Sequence, residues 1–154
     1  MQHIESTITI NAPLEIVWKL AQDVEKLPDI MPDLDKILIL EREQRSVDTL
    51  RVVTEWHGRI TKFNRKVNWV EEDIWNNETH SCHFWQLRGD FAEYSGSWIF
   101  VDTGVGTRVD LVIDYTFEVP LIGKIIQKVV LNLMQDNSDG MLKSLKDEAE
   151  RLAR

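Results

Sequence analysis

Three side chains in this sequence have the types and positions to act on a bound molecule: Arg65, His83 and Tyr115. Arg65 falls in the alternating set Phe63, Arg65, Val67, Trp69, which shares one face of a strand. Either that face is solvated, with Arg65 exposed beside Lys62 and Lys66, or the guanidinium points into an enclosure. Inside, its fork of donors would polarise a carbonyl or hold a carboxylate, and without such acceptors its burial is costly. His83 shares a face with Ser81, Trp85 and Leu87. Imidazole titrates near neutrality, so an interior position would suit proton transfer, whereas a surface or packed histidine is the plainer reading. Tyr115 lies on the inward set Val109, Leu111, Ile113, Tyr115, Phe117 and is a candidate hydrogen-bond donor.

Other residues have the bulk to wall a binding site. Six tryptophans stand against two tyrosines, and Trp56, Trp69, Trp85 and Trp98 fall on strands. With Arg65, Tyr115, Asn137 and Met141 they form the expected ligand-binding set. A packed core is the ordinary explanation for so much indole. Glu71-Glu72-Asp73 reads as a solvated strand end, and Asp110 and Asp114 as outer-face residues. His80-Ser81-Cys82-His83 does not make a metal site, because the two histidines point to opposite faces and no second cluster supplies ligands. No Ser-His-Asp order, phosphate loop or dinucleotide fingerprint occurs, and neither metal nor cofactor is expected.

The elements that must position these residues are mostly strands. After a first strand at His3 to Ile10, Asn11 is a plausible N-cap for a helix from Pro13 to Asp23. Pro28 and Pro32 reduce the next stretch to a short irregular helical turn. Period-two patterns follow at 36–45, 49–57, 60–74, 79–88, 94–102 and 107–119. Short turn-rich links, among them Gly58 and Gly104-Val105-Gly106, make consecutive strands antiparallel neighbours.

One long helix, 121–152, closes the chain. Its apolar stripe runs Ile122, Ile126, Val130, Leu133, Met141, Leu145, Ala149, Leu152, interrupted at Asn137. With no second long helix to pack on, it must lie across the sheet. A curved sheet closing on a lone helix tends to leave a hollow, and Asn137 with Gly140 would mark its floor. Ile125, Val129 and Leu131 are left over from the stripe. They would flank a cavity mouth, seal a homodimer, or touch a membrane surface transiently with Lys124 and Lys128 assisting.

The 154 residues suit a single domain spanning 1–154. A net charge of −8 argues against nucleic acid as a partner. No apolar run is long enough for an integral membrane segment, and the lone Cys82 fits a reducing, cytoplasmic location.

The chain resembles the START-like superfamily of helix-grip domains (SRPBCC, Bet v 1-like), and most closely its bacterial polyketide cyclase/dehydrase and Coq10-type branch. The matching words are Ile8-Thr9-Ile10-Asn11-Ala12-Pro13, Val17-Trp18, the stretch from Asp23 to Pro32, Tyr94-Ser95-Gly96-Ser97-Trp98-Ile99-Phe100, and Gly106-Thr107-Arg108-Val109. The resemblance covers the whole chain. It implies an α+β helix-grip fold: a seven-stranded antiparallel sheet curved around a long C-terminal helix, with two short helices after the first strand. It also implies binding, transport or presentation of a lipid, isoprenoid, quinone or polyketide in an internal cavity. An alternative is a polyketide cyclase, aromatase or dehydratase, with Arg65, His83 and Tyr115 as electrophile, base and donor. A second is a Coq10-like interaction module, which the acidic balance disfavours.

Overall fold

The computed structural model describes residues 1–31, 33–60, 64–118 and 124–154, excepting the side chains of 124–126. Phe63, Pro120 and Ile122, and the side chains of Ile125 and Ile126, therefore lie outside the described residues. The element order is β1 (Gln2–Ile10), α1 (Leu14–Gln22), α2 (Leu27–Ile30), β2 (Leu34–Gln44), β3 (Thr49–Ile60), β4 (Arg65–Asn76), β5 (Ser81–Gly89), β6 (Glu93–Asp102), β7 (Thr107–Thr116) and α3 (Lys124–Leu152), with a 3-10 turn at Val24–Lys26. All seven strands form one antiparallel sheet in the order β1-β7-β6-β5-β4-β3-β2. This is the expected helix-grip architecture.

The meander follows from the short links, and β1 reaches the far edge because α1 and α2 carry the chain across to β2. Sheet phase is set by water on one side only. On β7, Val109, Leu111, Ile113 and Tyr115 are buried while Arg108 is exposed. On β1 the inward set is Ile4, Ser6, Ile8 and Ile10.

Two local expectations are corrected. Pro13, not Asn11, occupies the N-cap position of α1, and its carbonyl accepts from Ile16 and Val17 at 3.1 and 3.2 Å. Asn11 sits too early to cap, and its backbone N–H instead meets Glu150 of α3 at 3.4 Å. Gly58 is no turn, since β3 runs on to Ile60. A Cβ there would meet the Trp69 ring at 3.7 Å, an ordinary contact.

α1 buries Val17, Trp18 and Ala21. The Trp18 ring meets Trp75 and Phe100 edge-on at 5.4 and 5.1 Å, and its N–H donates to Asn77 Oδ1 at 2.9 Å. α3 is held at several points along its length. Ser6 donates to Asp139 at 2.7 Å, Ser144 to the Ile30 carbonyl at 3.0 Å, and Lys146 to the Thr9 carbonyl at 3.0 Å. Its buried seam is Val130, Ser138, Leu142, Leu145 and Ala149. The seam is rotated from the expected stripe: Leu133 is half-buried and Leu152 exposed. Gly140 faces solvent, with nothing near its missing Cβ, so it does not floor a cavity. Val129 and Leu131 are half-buried, Leu131 against the core. No helix among the described residues is long and apolar enough to cross a membrane.

Candidate functional site

The sheet and α3 do not meet completely. Between them lies a cavity with about 100 Å³ open to the centre of a water-sized sphere, several times the ~10–15 Å³ that one water needs. α3 contributes Val130, Met134, Asn137, Ser138 and Met141 to the wall. The sheet contributes residues of six successive strands, from Leu34 on β2 and Trp56 on β3 to Leu111 and Ile113 on β7. Asp33 and Arg59, both only partly buried, mark the end nearest solvent, and Arg59 Nη2 pairs with Asp35 at 3.2 Å.

Large rings line this space because consecutive strands place them on the same face. Trp56 and Trp69 are directly opposite across β3 and β4, and their rings stack at 5.5 Å. Trp69 then meets Phe91 edge-on at 5.4 Å, and Phe91 meets Tyr94 at 4.7 Å. Trp98 stacks on Phe100 at 6.2 Å. Such a wall suits a flat apolar or conjugated ligand.

The polar end of the cavity was misread from sequence. On β4 the inward face continues Val67, Trp69, Glu71, Asp73, Trp75, so Glu71 and Asp73 are buried rather than solvated. Glu72 alone turns outward, to Arg51. The alternation was available as a signal, since two carboxylates spaced between tryptophans share the tryptophans' face. Glu71 lines both the cavity and a narrower extension toward α1, where it is joined by Asp73 and Trp75.

Asp73 has partners. Trp56 Nε1 donates to Thr54 Oγ1 at 2.8 Å, and the Thr54 hydroxyl donates to Asp73 Oδ2 at 3.0 Å. Burial nevertheless pushes the Asp73 carboxyl up to about 7, against the opposing pull of the Thr54 hydrogen bond. Glu71 is raised well above the ordinary range by burial and then by the nearby Asp73. The Trp69 indole lies close enough to ease the Glu71 charge slightly, yet Trp69 Nε1 and Glu71 Oε2 both remain without a hydrogen-bond partner. Burial also raises the Tyr94 hydroxyl and the Cys82 thiol, which makes Cys82 a poor nucleophile.

Among the expected site residues, Trp56, Trp69, Trp98, Asn137 and Met141 come together on the cavity wall. Arg65 does not line it. It is exposed at the start of β4, its guanidinium 5.3 Å from the ring centre of Phe117, which does line it. Tyr115 is buried as expected but lies behind the wall, near Gln127 and Val130; its hydroxyl is unpartnered and burial pushes it up to about 12.

His83 and Trp85 are corrections: both are exposed on the outer face of β5. Cys82 and Phe84 point inward instead. The register explains this, because Cys82 pairs with the inward Trp98, and directly opposed residues share a face. His83 therefore faces away from the cavity that Phe84 lines.

Similarity to known proteins agrees with this geometry. Residues 1–150 match the family described as polyketide cyclase/dehydrase and lipid transport. A Streptomyces cyaneus relative with a polyketide cyclase name is 25% identical over 118 residues, 75% of this chain and 74% of its own length. The crystal structure of a Thermus thermophilus protein superposes with a TM-score of 0.89 at 31% identity, covering 99% of this chain and all of that one. A Streptomyces aromatase/cyclase structure gives a TM-score of 0.86 at 23% identity over 99% and 96% of the two chains, a likeness of fold. The chain thus belongs to the polyketide cyclase/dehydrase and lipid transport family.

Proposed function

We propose that this protein holds a hydrophobic small molecule, with rings or conjugated unsaturation, between α3 and the inner face of the sheet. The observation that carries the reading is the aromatic-walled cavity, two of whose lining residues, Trp69 and Glu71, carry an unpartnered polar atom. Family membership supports it at the level of lipid or polyketide ligands. Protein purified from its own host and examined by native mass spectrometry should carry an extra mass, released on denaturation and soluble in organic solvent. A bare chain that also fails to take up naphthalene would sink the reading.

The second reading is cyclisation, aromatisation or dehydration of a poly-β-keto chain. The polyketide cyclase names among relatives favour it, as do carboxyls beside the cavity that hold protons near neutrality. Within it, Arg65 at the Phe117 ring would meet the part of a long substrate emerging from the cavity. Arg65→Ala should then reduce cyclisation of a poly-β-keto thioester by about tenfold or more, the loss of one charge-assisted contact, with the melting temperature near wild type. Unchanged turnover would remove Arg65 from the reaction.

A further inference from the structure

Glu71 is 3% exposed and lines the cavity, yet one of its carboxyl oxygens has no hydrogen-bond partner. Buried polar atoms are nearly always paired, so an unpaired oxygen on a residue that lines a cavity, with only the Trp69 indole nearby, leaves room for a partner from a bound molecule. The charged and titratable groups around it are Asp73 on the same strand, Cys82 on β5, Tyr94 on β6, and Asp33 and Arg59 toward solvent. Among the described residues that line the cavity, none supplies a free cation; Arg65 stands outside the lining, over the Phe117 ring. Arg59 pairs with Asp35, while Arg51 is on the other side of the sheet with Glu41 and Glu72. Across the cavity, the polar lining residues among the described side chains of α3 are the neutral Asn137 and Ser138. A lone buried carboxylate next to Asp73 is disfavoured, so the acid keeps its proton and becomes a donor.

We propose that Glu71 is the polar anchor of the bound molecule: its carboxyl O–H donates to a carbonyl oxygen of a neutral ligand, and so selects ketones or quinones over carboxylates. This rests on the cavity-binding reading and adds the ligand's polar chemistry to it. The unpartnered Trp69 N–H on the same face is a second donor for the same kind of group. An acidic ligand would bring a negative charge to a wall with two acids and, among the described residues, no free cation. A fatty acid would be rejected there at its head, whatever its tail buries.

The test uses the full chain and four probes of one size: naphthalene, 2-acetylnaphthalene, 2-naphthoate and 2-naphthylmethylammonium, titrated by NMR near neutral pH. The ketone should bind tightest, ahead of 2-naphthoate by about tenfold or more, the scale of one buried hydrogen bond against one unpaired charge. Glu71→Gln keeps an N–H donor and should keep the ketone's advantage over naphthalene. Glu71→Leu removes the donor at similar volume and should bring the two within about twofold while naphthalene itself still binds. Tighter binding of 2-naphthoate, particularly if Arg65→Ala abolishes it, would overturn the proposal, as would a preference for the ammonium. A ketone advantage that survives Glu71→Leu would also overturn it. Equal binding of all four probes would sink the role of Glu71 but leave the cavity reading standing. Failure of even naphthalene to bind would end both.

Discussion

Acidifying this protein from about pH 8 to about pH 5 should make it harder to unfold, whereas most proteins lose stability on approaching the acid range. The reason is the inward pair on β4. In the unfolded chain Asp73 and Glu71 release their protons near 3.8 and 4.5; in the fold Asp73 keeps its proton to about 7, and Glu71 is raised as well. Over that range the native state binds more protons than the unfolded one, so stability falls as pH rises, and the Asp73 share of the cost is complete above about pH 7. For Asp73, a rise from 3.8 to about 7 corresponds to a ceiling of about 4 kcal/mol, at about 1.4 kcal/mol per pKa unit.

Asp73→Asn should therefore stabilise the protein at about pH 8, by about 2–4 kcal/mol, because it removes the charge but keeps a carbonyl oxygen for the Thr54 hydroxyl. The gain should shrink as the pH falls and vanish below the ordinary value of 3.8. Adding Glu71→Gln should flatten the remaining slope, since burial raises Glu71 in its own right. Urea unfolding across the pH range measures all of this. Stability that climbs steadily from about pH 5 to about pH 8 would mean that the two acids ionise freely, and with it that they do not sit inside. The exposed ion pairs of Glu148 and Glu150, whose carboxyls are held low by Arg151 and Lys146, pull the other way only at lower pH.

Two glycine-to-alanine changes should move stability in opposite directions. Gly96 lies on the inner face of β6, opposite Phe84 and Ile113. A Cβ there would overlap the Val112 carbonyl oxygen and the Phe84 ring. The ring could turn away only into the cavity it lines, and the carbonyl belongs to the sheet ladder. Gly96→Ala should cost at least the ~1–3 kcal/mol typical of an overpacked core, and reduce the space available to a ligand. Gly140 is the counterpart: it is exposed on α3 with nothing within 4 Å of its missing Cβ. Gly140→Ala should gain about 0.5–1 kcal/mol through helix propensity alone. Chemical denaturation of both variants decides the point. A neutral Gly96→Ala would mean that Phe84 does not cross β6 as described.

The architecture was legible because its physical causes are local and repeated. β7 alternates over five inward residues with water on its other side, and α3 has nothing but a sheet to cover. Phase was harder to read where both faces of a strand carry apolar groups. On β5, Cys82 and Phe84 compete with Trp85 and Leu87, and only the pairing of Cys82 with Trp98 decides between them. That pairing is tertiary information. Glu71 and Asp73 were missed for a different reason: acid side chains are ordinarily solvated, and this prior outweighed a strand phase that Val67 and Trp75 already fixed. Residues that break the ordinary burial rule inside a cavity are the ones with most to do there.

The occupied hollow can be observed through the tryptophans themselves. With the indoles labelled by ¹⁵N, saturating 2-acetylnaphthalene should shift the N–H resonances of Trp56, Trp69 and Trp98, which line the cavity, and leave that of Trp85 on the outer face in place. Movement confined to Trp85, or a spectrum unchanged at saturation, would mean that the space between helix and sheet takes no ligand.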